Sequence, residues 1–188
     1  MFANIRADFG RYYRYVEGAN WKIRFRYCFF FVFTQAIWAI VTYRYGAWCR
    51  KLKIPILGPL LRITYFFLNK FIEIITGISI SSNAEIGKGL YIGHFGGIFI
   101  HPNTTLGENC NIGQGVTIGT LGLGKKGVPR IGNGVFIGAG AKVLGEIKIG
   151  DNVRIGANAV VLKDVPDNAT VVGVPAKIVK ICSVKKDF

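Results

Sequence analysis

A six-residue period in the aliphatic side chains governs residues 80–161 of this chain. The aliphatic positions are Ile80, Ile86, Ile92, Ile98, Ile100, Leu106, Ile112, Ile118, Ile131, Ile137, Val143, Ile149, Ile155 and Val161. Small or modest residues share the period, at Ala84, Cys110, Val116, Val135, Ala141, Val153 and Ala159. So short and strict a repeat predicts a parallel β-helix, whose coils bury their aliphatic rows against one another. A β-sandwich would instead show irregular strands, with turn signals about 8–12 residues apart.

The charge and cysteine content limit the partners and the compartment. The formal charge is +14, but the basic residues are spread along the chain without a nucleic-acid-binding motif. We therefore predict no nucleic-acid partner. The four cysteines fit neither a disulfide framework nor a CxxC metal spacing, which predicts a reducing compartment. The N-terminus lacks the pattern of a signal peptide, so we expect a cytoplasmic protein.

Residues 1–77 lack the period and are rich in aromatic and basic side chains. Residues 58–76 predict a helix, since Pro59 suits a first helical turn and Gly77 a C-terminal stop. This helix is apolar on nearly all sides, so it requires cover by protein or lipid. The segment Trp21–Lys53 predicts a second helix.

Three arrangements of this region remain open. The favoured one is an interfacial anchor with basic flanks, peripheral on an anionic membrane surface at the inner face of the cell membrane. The second is a helical cap that packs on the β-helix and on neighbouring subunits. The third is a transmembrane hairpin of residues 28–41 and 56–76, although the first stretch is shorter than the ~20 residues of a membrane span.

Two interruptions of the repeat mark where function is usually added. They are Gly93–Gly97 and the loop Thr120–Arg130, and the only two histidines lie close to them in sequence. Histidine is the side chain best suited to general-base chemistry near neutral pH. We predict His94 as the base, because the aromatic residue and two glycines that follow leave room for a substrate; the alternative is a surface corner. For His101, a solvated turn residue is the favoured interpretation.

Motifs in residues 78–179 resemble the hexapeptide-repeat acyltransferases, and among them the serine acetyltransferase-like branch. They are HFGG at 94–97, QGVTIG at 114–119, PRIG at 129–132, IGAGAK at 137–142 and GVPAKIV at 173–179. The opening Ile5–Asp8 also resembles the start of that branch. The resemblance implies a left-handed β-helix, a homotrimer, and acetyl-CoA as the donor, bound in the groove between adjacent prisms.

Three positions depart from the pattern of the serine acetyltransferases. That family carries an Asp fifteen residues before the catalytic His, an Asp directly before it, and a second His before the loop proline. This chain has Ser79, Gly93 and Val128 there. Since those groups contact the amino acid or orient the base, their absence argues against serine as the acceptor. The corner and the basic, apolar N-terminal region resemble instead the sugar O-acetyltransferases that modify bacterial capsule or exopolysaccharide.

We therefore predict direct transfer from acetyl-CoA to a sugar hydroxyl of a capsular polysaccharide, an exopolysaccharide or its lipid-linked precursor, without a metal. His94 is the general base and His101 an accessory candidate. By resemblance, the oxyanion and acetyl-CoA groups are Gly119, Thr120, Ala139, Gly140 and Ala157. Candidates for the coenzyme phosphates are Lys142, Lys163, Lys177 and Lys180. The acceptor-binding residues are Phe95, Gly96, Gly97 and Ser79.

Three other functions compete with this prediction. The first is serine O-acetyltransferase of cysteine biosynthesis. The second is a zinc enzyme, which is disfavoured because catalytic zinc usually takes three protein ligands and the chain has two histidines. The third is a non-catalytic membrane-associated scaffold, which would bind no acetyl-CoA. The predicted domains are a helical region 1–77, an acyltransferase domain 78–179 with loop 120–130, and a basic tail 180–188.

Overall fold

The computed structural model describes residues 1–13, 33–122, 124 and 127–182, in which helices precede a long series of short strands. The helices are α1 Phe2–Tyr13, α2 Gln35–Lys51 and α3 Leu57–Thr76. The strands are β1 Ile78–Ile80, β2 Glu85–Ile86, β3 Tyr91–Ile92, β4 Ile98–Ile100, β5 Thr105–Leu106, β6 Asn111–Ile112, β7 Thr117–Gly119, β8 Arg130–Ile131, β9 Phe136–Ile137, β10 Lys142–Leu144, β11 Lys148–Ile149, β12 Arg154–Ile155, β13 Val160–Val161, β14 Ala169–Val172 and β15 Lys177–Ile181.

The strands form three sheets that run the length of a solenoid. Sheet A has the order β1-β4-β7-β10-β13, sheet B the order β2-β5-β8-β11, and sheet C the order β3-β6-β9-β12-β14-β15. Pairing is parallel except between β14 and β15. Each coil therefore turns at three corners, which stack into columns that we name the A–B, B–C and C–A corners after the sheets they join. The predicted parallel β-helix is confirmed.

The aliphatic residues of the repeat form the core, as predicted. The most exposed of them is Ile86, at 7%. The small residues of the repeat also point inward, and Cys110 is fully buried, which raises the pKa of its thiol to about 11. Fully burying one aliphatic side chain stabilises the fold by about 1.5–3 kcal/mol, so the stacked rows supply most of the stability.

Glycine after the aliphatic residue is required by the close stacking of coils. A Cβ at Gly113 would lie 2.6 Å from the backbone nitrogen of Ala139 in the next coil, and one at Gly138 would lie 2.6 Å from that of Ala157. A larger residue would therefore force neighbouring coils apart, at a cost of about 1–3 kcal/mol.

Side chains of α1 and α2 complete the hydrogen bonds of the first coil. The Tyr43 hydroxyl donates to the Ala84 carbonyl at 2.9 Å and accepts from the Ile86 N–H at 3.2 Å. The Tyr12 hydroxyl donates to the Ile92 carbonyl at 2.8 Å and accepts from its N–H at 3.1 Å. Each phenol thus replaces a missing strand, and burial raises the pKa of both.

A buried ion pair closes the same edge. Arg44 donates to the Asp8 carboxylate at 2.8 and 3.0 Å and to the carbonyls of Ile86 and Gly87 at 2.7 Å. Asp8 in turn accepts the Leu90 N–H at 2.8 Å. The two helices that carry these residues therefore pack on the first coil of the solenoid.

The remaining helix predictions have mixed outcomes. Helix α3 is confirmed over almost the predicted residues, and Gly77 ends it with a left-handed φ of 63°. The prediction of one continuous helix over Trp21–Lys53 is wrong at Phe33 and Thr34. Residues 21–32 lie outside the described part of the chain, Phe33 and Thr34 are not helical, and α2 begins at Gln35. Thr34 is extended (φ −78°, ψ 104°), outside the helical range, and is the N-cap of α2.

One face of α3 is exposed in the single chain. Leu60, Ile63, Phe67, Phe71 and Ile74 lie along it and are 54–81% exposed. The opposite face packs on α2. Within the described ranges, no helix is long and apolar enough to cross a membrane.

Candidate active site

The C–A corners bring seven of the fifteen predicted site residues into one column. The corner with His94, Phe95, Gly96 and Gly97 lies between β3 and β4, at its foot. Main-chain hydrogen bonds connect the successive corners: Gly115 N–H to the Gly96 carbonyl at 2.9 Å, Gly140 N–H to the Gln114 carbonyl at 2.7 Å, and Asn158 N–H to the Ala139 carbonyl at 2.8 Å. The predicted residues Ala139, Gly140 and Ala157 thus lie directly above the His94 corner.

His94 lies at an open position. Its side chain is exposed, and so is that of Phe95, at 52%. Gly96 and Gly97 have φ of 99° and 65°, which only glycine adopts without strain. These two glycines turn the chain sharply into β4 and keep the surface beside the imidazole free of side chains. A base in this place can be reached by two substrates at once.

Lys142 holds the next corner in place. Its ammonium donates to the Gly115 carbonyl and, at 3.1 Å, to the Thr117 hydroxyl. Gly115 is itself bonded to Gly96, so the hydrogen bond from Lys142 to Gly115 helps to hold the stacked C–A corners together. Its predicted contact with a coenzyme phosphate would compete with these bonds.

The other three lysines lie on the upper coils. Lys163 follows β13 and is exposed at an A–B corner. Lys177 and Lys180 are exposed on β15, opposite Val172 and Thr170. The structure therefore does not bring the four lysines into one cluster.

A second group of predicted residues lies across sheet A, at the A–B corners. His101 follows β4, Gly119 is the last residue of β7, and Thr120 follows it. A Cβ at Gly119 would lie 3.7 Å from the Cβ of His101, so these two are neighbours. The His101 Nδ1 accepts the Asn103 N–H at 3.2 Å, which is the local bond of a turn. Since β4 separates the two histidines by three residues at about 3.3 Å each, they do not share one site within a chain.

A carboxylate that the sequence reasoning missed lies near the His94 corner. Glu73, on the last turn of α3, accepts a hydrogen bond from Lys70 at 2.8 Å. This hydrogen bond lowers the pKa of Glu73. The six-residue pattern gave no signal for it, because Glu73 lies on a helix outside the repeat.

The described residues contain no set of ligands for a metal ion. No group of three or more His, Cys, Asp or Glu side chains there could hold a metal ion.

Comparison with known proteins identifies the family. A family model described as "Bacterial transferase hexapeptide (six repeats)" matches residues 129–163, and one described as "Hexapeptide repeat of succinyl-transferase" matches residues 103–122. A serine acetyltransferase of Synechococcus elongatus is 36% identical over 190 aligned residues, which cover 100% of this chain and 72% of the relative. The chain belongs to the serine acetyltransferase family.

Solved structures of serine acetyltransferases have the same fold. The Brucella abortus protein in complex with coenzyme A has a TM-score of 0.80 and 31% identity, over 96% of this chain and 68% of that one. The Neisseria gonorrhoeae protein in complex with serine has a TM-score of 0.74 and 33% identity, over 93% and 67%. The predicted superfamily and its serine acetyltransferase-like branch are thereby confirmed, and this family member is an acetyltransferase.

The predicted sugar acceptor is wrong. The relative that aligns with 100% of this chain is a serine acetyltransferase, and so are the Brucella abortus and Neisseria gonorrhoeae proteins with the same fold. The prediction judged serine recognition from three positions, Ser79, Gly93 and Val128. It gave these three single positions more weight than the similarity of the whole chain, which the comparison with a serine acetyltransferase of 36% identity shows.

Proposed function

We propose that this protein is a serine O-acetyltransferase, which transfers the acetyl group of acetyl-CoA to the hydroxyl of L-serine. The observation that carries the proposal is the 36% identity to a serine acetyltransferase over the whole chain. The relatives solved with coenzyme A and with serine name both substrates. An exposed histidine beside two glycines supports the same reaction.

His94 acts as the general base in this proposal. The serine hydroxyl attacks the thioester carbonyl while the imidazole accepts its proton. The new C–O bond forms as the C–S bond breaks, and the coenzyme A thiolate takes the proton back from the imidazolium. Direct transfer needs no covalent intermediate, and the chain has no Gly-x-Ser-x-Gly nucleophile turn.

The C–A corners offer the binding surface for acetyl-CoA. Ala139, Gly140 and Ala157 lie in line above His94, and small residues allow an extended ligand to approach the backbone. Lys177 and Lys180 are the lysines with free surface near the upper end, whereas Lys142 is already bonded. Main-chain N–H groups near Gly119 would stabilise the oxyanion.

We propose that the working unit is a homotrimer, because the A–B and C–A corners of one chain lie on opposite sides of sheet A. Gly119 and Thr120 of one subunit would then face His94 of the next, and complete one site. Light scattering on the purified protein should give three times the 20.7 kDa chain mass. A monomer with full activity would contradict this assembly.

Contact with the inner face of the cell membrane is a separate proposal, which rests on α3. Its exposed apolar face begins beside Arg50, Lys51 and Lys53, all exposed. A helix with an apolar face and basic flanks suits an anionic lipid surface. The full chain should sediment with vesicles containing phosphatidylserine, and Phe67→Ser combined with Phe71→Ser should abolish this; a chain that stays in the supernatant would refute the contact.

The reaction is tested by thiol release from acetyl-CoA with L-serine as the acceptor. Wild type should release coenzyme A only when serine is present, and mass spectrometry should find O-acetylserine in equal amount. Glycine and L-alanine, which lack the hydroxyl, are the matched negative acceptors. Release that ignores serine, or none at all, would refute the proposal.

A further inference from the structure

We propose that a cavity between α1, α2 and the first coils of the solenoid binds a small organic anion with an apolar body, such as an aryl carboxylate. The cavity has a volume of about 420 Å³ and is lined by residues of α1 and α2 and by the strands β2 and β5. Binding sites for small molecules commonly occupy about 300–1,000 Å³ and often lie where two structural units meet. This binding does not depend on the proposed reaction.

The cavity lies on the opposite side of the solenoid from His94. Its solenoid wall belongs to sheet B and includes Glu85, Ile86, Thr105 and Leu106. Each coil turns at three corners, so sheet B faces away from the C–A corners, where His94 lies between β3 and β4. A ligand in the cavity therefore leaves the C–A corners open to acetyl-CoA.

The buried side chain of Arg44 lines the cavity and has one N–H group without an acceptor in the described part of the chain. A guanidinium has five N–H groups. Four of those of Arg44 donate to the Asp8 carboxylate and to the carbonyls of Ile86 and Gly87. The fifth is on Nη1. Since a buried donor that makes no hydrogen bond is costly, this N–H favours a ligand that carries an acceptor.

The lining of the cavity carries more positive than negative charge. Arg50 and Lys51, on the last turn of α2, are exposed, and neither forms an ion pair with a described residue. The described lining residues include one carboxylate, that of Glu85. Burial raises the pKa of the Tyr43 phenol in the cavity wall, and the charges of Arg44 and Arg50 oppose the rise. The cavity is therefore suited to an anion.

The other side chains that line the cavity are largely apolar and define the body of the ligand. Ala47 and the half-buried indole of Trp48 line it on α2, and Ile86 and Leu106 line it on the solenoid. An aromatic ring would remove apolar surface from water against these side chains. A bare phosphate would leave them uncovered, so the ligand is an organic anion.

The test uses 2-naphthoate as the probe, in isothermal titration calorimetry on the full chain without coenzyme A or serine. Wild type should bind one 2-naphthoate per chain. 2-Naphthamide has the same rings without the charge and should bind at least about tenfold more weakly. Raising sodium chloride from about 50 to about 500 mM should weaken the binding of 2-naphthoate but not that of 2-naphthamide, because salt screens exposed cations.

Two variants and one control locate the probe. Thr105→Trp fills the cavity from the outer face of β5 and should raise the Kd for 2-naphthoate more than about tenfold. Arg50→Gln combined with Lys51→Gln should raise it about fivefold. Arg130→Gln combined with Lys148→Gln removes two paired cations elsewhere on sheet B and should bind as wild type. All five side chains are exposed, so each variant should keep the wild-type melting temperature.

Three results would overturn the inference. The first is no binding of 2-naphthoate at millimolar concentration, or binding to Thr105→Trp as tight as to wild type. The second is equal affinity for 2-naphthamide, which would show an apolar cavity without preference for an anion. The third is an equal loss in the variant of Arg130 and Lys148, which would show that binding follows net charge. None of these results bears on thiol release with serine, so this inference and the proposed function fail separately.

Discussion

The B–C corners and the C–A corners come from the same six-residue repeat, but their side chains differ in the hydrogen bonds that they make. At the B–C corners, each side chain bonds to the corner below. Asn133 accepts the Glu108 N–H at 2.8 Å, Asp151 accepts the Asn133 N–H at 2.6 Å, and Asp167 accepts the Asp151 N–H at 2.8 Å. This polar ladder occupies the space that a ligand would need.

The C–A corners are connected mainly by their backbones. Gly115, Gly140 and Asn158 donate through main-chain N–H groups, and the intervening residues are glycine, alanine and glutamine. Few side chains therefore protrude from the C–A corners over several coils, and His94 lies at the lower end of this surface. The C–A corners, which we call the free column, therefore have space for a ligand, whereas bonded polar side chains fill the B–C corners.

The largest expected effect is on the histidine at the foot of the free column. His94→Asn should lower kcat about 10²–10⁴-fold, because the serine hydroxyl loses its base, without change in the melting temperature. Steady-state thiol release checks this. His101→Asn at the A–B corners is the matched control and should lose much less. Equal losses would show that the two columns are not functionally distinct.

A large side chain in the free column should block the donor. Ala157→Trp should raise the KM for acetyl-CoA about tenfold, because the exposed indole fills the surface above His94. Glu108→Trp places the same indole at a B–C corner and should leave the KM unchanged. If the KM rises only for Glu108→Trp, the donor lies along the polar ladder instead.

Breaking the polar ladder should affect stability but not binding. Asp167→Ala leaves the Asp151 N–H without its acceptor, so the free energy of unfolding should fall by about 1 kcal/mol. Chemical denaturation measures this. Gln114→Ala, at a C–A corner, should cost less than Asp167→Ala, and both should bind acetyl-CoA normally. A defect of Asp167→Ala in acetyl-CoA binding would contradict the prediction that the B–C corners affect stability alone.

The smallest expected effect concerns the pH dependence of stability. The folded Glu73 has a lowered pKa, so its contribution is present above the pKa of the unfolded chain and is lost as pH falls through the folded value. The melting-temperature difference between wild type and Glu73→Gln should therefore shrink from pH 7 to pH 3, by a small amount because the group is partly exposed. A difference that grows on acidification would contradict the lowered pKa.

The solenoid could be predicted from the sequence because its period repeats one local environment. The inward positions, including Cys110, are fixed by the spacing alone, and His94 stands out where the spacing breaks. Stacking of Ala139 and Ala157 above His94 also follows from the period, since the corners recur once per coil.

Contacts between different regions could not be predicted in this way. Tyr12 and Tyr43 complete the first coil through hydrogen bonds of their hydroxyl groups. The six-residue period does not predict these bonds, because they depend on how α1 and α2 pack on the solenoid. The choice of acceptor failed because it was inferred from three positions of the repeat, whereas the relative that aligns with the whole chain is a serine acetyltransferase.

The most direct test of the free column is amide hydrogen exchange with and without coenzyme A. Binding should slow exchange in peptides from the C–A corners, around residues 94–97, 114–115, 139–140 and 157–158, and leave the B–C corners around 108–109, 133–134 and 151–152 unchanged. Protection at the B–C corners, or at none of these peptides while coenzyme A is bound, would contradict the placement of the site.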